Sequence, residues 1–101
     1  MTITKTQEKE KLTISINGRL DTTTSPILQD ELILALETET HVQLDFTNLI
    51  YVSSAGLRLL LMGQKAAKAK NATMTIACVS EDVMEVLDMT GFSDILTIVK
   101  G

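Results

Sequence analysis

A small α/β domain, its mixed and mostly parallel sheet covered by helices, is the fold class that this chain predicts. Three observations lead there. Short runs around Leu12–Asn17, Val42–Phe46 and Met74–Cys78 alternate apolar and other residues at the strand period. Stretches with the helical period separate them. Residues that start or stop helices fall between the two kinds of segment, the order expected when crossover helices link parallel strands. No linker, repeat or low-complexity tract interrupts the 101 residues, so 1–101 is read as one domain.

Each element has a local reason. Leu12, Ile14 and Ile16 alternate with Thr13, Ser15 and Asn17, and Gly18 ends that strand. The Ile3 region is its antiparallel partner, joined through the charged turn Glu8-Lys9-Glu10-Lys11; a strand this polar suits a sheet edge. Ser25-Pro26 marks a helix start, with serine as cap and proline in the first turn, where its missing N–H costs nothing. Leu28, Leu32, Ala35 and Leu36 then share one face. Val42, Leu44 and Phe46 form a central strand. The apolar segment Leu49–Val52 runs into Ser53-Ser54-Ala55-Gly56 and a Leu-rich helix reaching Lys70. Met74, Ile76 and Cys78 form a third core strand, which makes Cys78 a core residue. Ser80-Glu81-Asp82 opens a further helix with acids in its first turn, and Gly91 fits its C′ position. Ile95 to Val99 is β-branched and apolar, a final strand.

Composition narrows the function. The chain is 45% hydrophobic but 3% aromatic, so its core is aliphatic. A net charge of −4 without a basic run argues against direct nucleic-acid binding. No stretch approaches the ~20 apolar residues of a membrane span, and the polar start is no signal peptide, so no membrane insertion is expected. The single cysteine, Cys78, fits a reducing cytoplasm. An enzyme finds little support: the Gly-x-Ser-x-Gly elbow is absent, with Val52 and Ala55 in its places. No Gly-rich phosphate loop suggests a cofactor, and His41, without companion ligands, makes no metal site.

What remains is the run from Leu49 to Leu61, which places a serine at the mouth of a helix. There a serine oxygen can cap the helix, and backbone amides face any arriving anion. A phosphate would be tolerated, because the macrodipole favours negative charge at that end. At 100° per residue, Gly56, Leu60, Gly63 and Ala67 fall on one face of the helix, small enough to lie close to the sheet. Arg58, Lys65 and Ala69 lie opposite, bordered by Leu61 and Met62. Those two either pack against a neighbouring helix or form a partner-binding ridge below the serines. Asp21, before Thr22-Thr23-Thr24, reads equally as a turn aspartate and as a site residue beside Ser54, brought there if the first two core strands are neighbours.

The serine run resembles the phosphoacceptor loop of the STAS family, the bacterial anti-sigma factor antagonists. Aligned on Gly56-Leu57, Ser54 falls on the family's phosphorylated serine, Ser53 replaces its aspartate, which leaves Ser53 open as a second acceptor, and Ala55 replaces its second hydroxyl residue. Gly18-Arg19-Leu20-Asp21 is similar to the family's Gly-x-Leu-Asp turn, and Val86–Phe92 to its late helix-ending motif. The resemblance spans about Ile3 to Val99 and implies a STAS-type fold. It further implies a non-enzymatic, phosphorylation-controlled binding module. The unphosphorylated form would hold an anti-sigma factor that is also a serine kinase. Phosphorylation at Ser54 would release it, and a PP2C-type phosphatase would reset the switch. Asp21, Thr22, Ser53, Ser54, Ala55, Gly56 and Arg58 are the expected partner-binding residues. The alternative is a STAS scaffold or transport-accessory domain that is never phosphorylated, and the replaced aspartate gives it weight.

Overall fold

In the computed structural model, which describes residues 1–99, one long strand organises the sheet. β1 (Thr2–Glu8) and β2 (Lys11–Leu20) form an antiparallel hairpin with Glu8 opposite Lys11. β1 is polar and exposed except at Ile3, as an edge strand should be, and Lys5 pairs with Glu31 of the helix beside it. β2 then serves two parallel partners in succession. Its first half, Leu12–Ser15, pairs with β3 (His41–Asp45), and its end, Gly18–Leu20, pairs with β4 (Leu49–Val52). The register shifts between Gly18 and Arg19, where Gly18 adopts φ +107°, a conformation that favours glycine. β5 (Thr73–Ala77) extends the parallel sheet from β3, and β6 (Ile98–Val99) from β5, so the order is β1-β2-β3-β5-β6 with β4 branching from β2.

The helices follow their patterns. α1 (Ser25–Thr38) buries Leu28, Leu32, Ala35 and Leu36, and α2 (Ser54–Ala69) buries Gly56, Leu60, Gly63 and Ala67. α1 and α2 pack side by side, and Gly63 explains how closely: a Cβ there would stand 2.6 Å from Leu32 Cδ2 and 2.9 Å from Met74 Sδ. α3 (Glu81–Met89) is capped by Ser80, whose hydroxyl accepts from the Val83 amide, and it packs against β4. Gly91, at φ +80°, follows its C-cap as expected. The core is aliphatic apart from Phe46.

Three local expectations are corrected. Ser25 does not cap α1: Thr24 occupies the cap position in helical conformation without a capping bond, and Ser25 is the first helical residue, buried. The carboxylate of Asp21 has already gathered the Thr23 and Thr24 amides, so the chain winds into the helix one residue early. Ile95 is not in a strand. The turn at Gly91 starts a short helix, α4 (Phe92–Ile95), and only Ile98 and Val99 pair with β5. Cys78 is exposed rather than buried: β5 ends at Ala77, and Cys78 turns into the left-handed region at φ +59°, which breaks the alternation.

Candidate functional site

The ends of β2 and β4 lie side by side, with Leu20 opposite Val52, so the loops that follow them leave the sheet together. The Ser53 amide donates to the Leu20 carbonyl at 2.9 Å, which fixes the start of the serine loop against β2. Ser53 is extended (φ −89°, ψ 176°) and caps α2, its hydroxyl accepting from the Gly56 amide at 3.3 Å. The capping task therefore falls to Ser53, one residue before the expected acceptor. Ser54, the first residue of the helix, is exposed and its hydroxyl makes no hydrogen bond among the described residues. Gly56 brings the first turn down onto the strand ends: a Cβ would meet the Leu20 carbonyl oxygen at 2.9 Å and Val52 Cγ1 at 3.0 Å.

Asp21 is a turn aspartate. Its Oδ1 accepts from the Thr23 amide at 3.0 Å and the Thr24 amide at 3.1 Å, and Thr24 Oγ1 donates to the Arg19 carbonyl at 2.7 Å. The Thr24 amide, against a smaller cost of desolvation, holds its carboxyl below the usual range; the Thr24 hydroxyl, the Thr23 amide and Arg19 add to this. Its bonds thus go to its own turn. Arg19 lies 3.9 Å from Asp21 and stacks over Tyr51, 4.1 Å from the ring centroid, which ties the β2 end to β4 from the outside. No pattern in the sequence singles out Arg19 and Tyr51, although Arg19 lies inside the Gly18–Asp21 turn. Nor does any pattern mark Ile50, an apolar side chain 67% exposed beside the serine loop.

Thr22, Ala55 and Arg58 are brought together. The heads of α1 and α2 enclose an open groove of about 330 Å³, with Thr22, Ser25 and Gln29 on one side and Ala55, Arg58 and Met62 on the other. The Ser25 hydroxyl is buried in its wall without a hydrogen-bond partner among the described residues. Arg58 also borders a second hollow with Leu61, Met62 and Lys65. Met62 packs partly against the core, whereas both it and Leu61 remain half-buried. No group of three or more His, Cys, Asp or Glu side chains that would hold a metal occurs among the described residues, and His41 instead bonds Thr75 Oγ1 at 3.0 Å.

A family model described as "Mlab, STAS domain" matches residues 3–99 of this chain. The chain belongs to the STAS family. Among relatives of this STAS domain is an anti-sigma-B factor antagonist of Staphylococcus epidermidis, 30% identical over 87% of the chain and 82% of the relative. Among solved structures, an anti-sigma-factor antagonist (STAS) domain protein from Planctomyces limnophilus superposes with a TM-score of 0.83 at 22% identity, covering 97% of this chain and 88% of that one. The Bacillus cell fate determinant SpoIIAA in its phosphorylated form superposes with a TM-score of 0.77 at 16% identity, covering 99% and 91%. These likenesses establish the STAS-type fold. No helix among the described residues is long and apolar enough to cross a membrane.

Proposed function

We propose that this STAS domain is an anti-sigma factor antagonist switched by phosphorylation of Ser54. The observation that carries the reading is the division of labour at the head of α2: Ser53 supplies the cap, and Ser54 presents a free hydroxyl to solvent. The relative named as an anti-sigma-B factor antagonist, similar over most of both chains, supports the class. The partner is an anti-sigma factor with serine kinase activity, bound by the unphosphorylated form through the Ser53–Gly56 loop, Asp21-Thr22 and Arg58. The kinase moves the γ-phosphoryl of ATP onto Ser54 Oγ, the hydroxyl proton leaves, and ADP is released. A PP2C-type phosphatase hydrolyses the ester and restores the serine.

The energetics suit such a switch. Phosphorylation adds roughly −1.5 to −2 charges at the contact surface. An unpaired charge desolvated in an interface costs several kcal/mol, a factor of hundreds or more in affinity. The fold is spared, because the helix N-terminus accommodates the charge. Incubation with candidate serine kinases and ATP, followed by peptide mapping, should find one phosphate, on Ser54. Ser54→Asp should melt within a few degrees of the wild type yet fail to bind the kinase. Phosphate on Ser53 and none on Ser54 would refute the assignment.

A second reading, a STAS scaffold or transport-accessory domain that binds without modification, is favoured by one feature. Ser53 stands where the resemblance puts a carboxylate, and its oxygen is committed to the Gly56 amide. Partner capture by wild-type protein whose Ser54 no candidate kinase phosphorylates would select this reading.

A further inference from the structure

We propose that a phosphate on Ser54 pairs with Arg58 of the same helix, so that modification also withdraws this guanidinium from the surface offered to a partner. The inference rests on Ser54 being the acceptor and says where its new charge goes. Ser54 and Arg58 are four residues apart in α2, the spacing at which side chains on a helix meet, and the anion would stand on the favourable, N-terminal side of the cation. Ser53 is one residue further and lies outside the helix, with its oxygen turned into the cap.

Arg58 is available for the pairing. It is exposed and forms no ion pair among the described residues. Asp21, the residue before the groove-lining Thr22, accepts from the Thr23 and Thr24 amides and faces Arg19 at 3.9 Å. Neither hollow that Arg58 borders is lined by an acid. In the groove shared with α1, the buried Ser25 hydroxyl is a second polar group without a partner among the described residues.

The composition of α2 points the same way. The helix carries Arg58, Lys65 and Lys68 and no acidic residue, although the chain as a whole has a net charge of −4. α3, by contrast, has Glu81 and Asp82 in its first turn, where the macrodipole favours them. A phosphate on Ser54 supplies α2 with the missing first-turn anion and Arg58 with its counter-charge. Charge-assisted bonds from a guanidinium to phosphate oxygens are among the stronger hydrogen bonds in proteins. The partner then faces two changes: added bulk at Ser54 with the negative charge that one guanidinium leaves uncompensated, and a cation one turn below it that is already paired.

The pairing can be tested without a kinase, by placing phosphoserine at position 54 during translation and titrating the phosphate by ³¹P NMR. Its second pKa should rise by about 0.3 unit or more in Arg58→Gln, and Arg58→Lys should recover part of the difference. Phosphoserine placed at position 53 should respond less to the same substitution. Identical pKa values at position 54 in wild type and Arg58→Gln would overturn the proposal. An equal rise in Lys65→Gln would also overturn it, since that marks a general field rather than a pair. Because the phosphate is installed by translation, kinases that leave Ser54 untouched would overturn the acceptor reading alone.

Discussion

The amide of Ser53 donates to the carbonyl oxygen of Leu20 at 2.9 Å, and through this bond the loop before α2 is registered against the end of β2. With Leu20 opposite Val52, the bond sets the Asp21 turn and the serine loop beside each other at one sheet edge. Gly56 completes the arrangement by letting the first turn of α2 lie on the same carbonyl.

The two serines should separate in a stability measurement. Ser53→Ala removes the cap and is expected to cost about 1 kcal/mol in urea denaturation. Ser54→Ala changes an exposed side chain and should stay within about 0.5 kcal/mol of the wild type. The reverse order would show that Ser54 holds the helix.

The two buried glycines of α2 should also differ. In Gly56→Ala the new methyl meets backbone, the Leu20 carbonyl oxygen at 2.9 Å, so the loop itself has to move. A loss of about 1–3 kcal/mol is expected. In Gly63→Ala the obstacles are side-chain atoms, Leu32 Cδ2 and Met74 Sδ, which can shift more readily than backbone, and alanine gains up to about 1 kcal/mol of helix propensity. Urea melts of both variants should place Gly63→Ala closer to wild type, and equal losses would refute the distinction.

Arg58→Glu should leave stability within about 0.5 kcal/mol, as for an ordinary surface change. Against the cognate kinase it should weaken binding to an acidic partner surface and make the remaining affinity less dependent on salt. Calorimetric titration at two salt concentrations decides this; unchanged affinity at both confines recognition to the loop around Ser54.

Acid should weaken the fold through its depressed carboxyls. Burial pushes the Asp45 carboxyl up, but the Thr47 hydroxyl, the Thr47 amide at 3.0 Å and the Ser15 hydroxyl at 3.0 Å together hold it below 3.8, and Asp21 is lowered as well. A folded-state pKa below the unfolded one contributes stability above the unfolded value and loses it as pH falls through the folded one. Stability is therefore expected to fall as pH drops below about 4, and Asp45→Asn should flatten that dependence in urea melts taken between about pH 5 and pH 2. An unaltered slope in Asp45→Asn would remove this carboxyl from the acid response.

Much of this protein was legible in its residue pattern. The alternation of Leu12, Ile14 and Ile16, the Leu28–Leu36 stripe, the small face of α2 and the Gly91 cap all came out as expected, because burial on one face imposes a period that a sequence records directly. The order Val52-Ser53-Ser54-Ala55-Gly56 likewise put a serine at the mouth of a helix. Tertiary structure decided the rest, where the outcome depends on atoms distant in sequence or on a single φ angle. Asp21 drew the Thr24 amide away and moved the start of α1 to Ser25, and the left-handed turn at Cys78 carried the thiol out of the core. Which of two adjacent serines caps α2 was settled by the bond from Ser53 to Leu20. Arg58 meets Thr22 and Ser25 across a groove because β2, shared between β3 and β4, delivers the heads of α1 and α2 to one edge of the sheet.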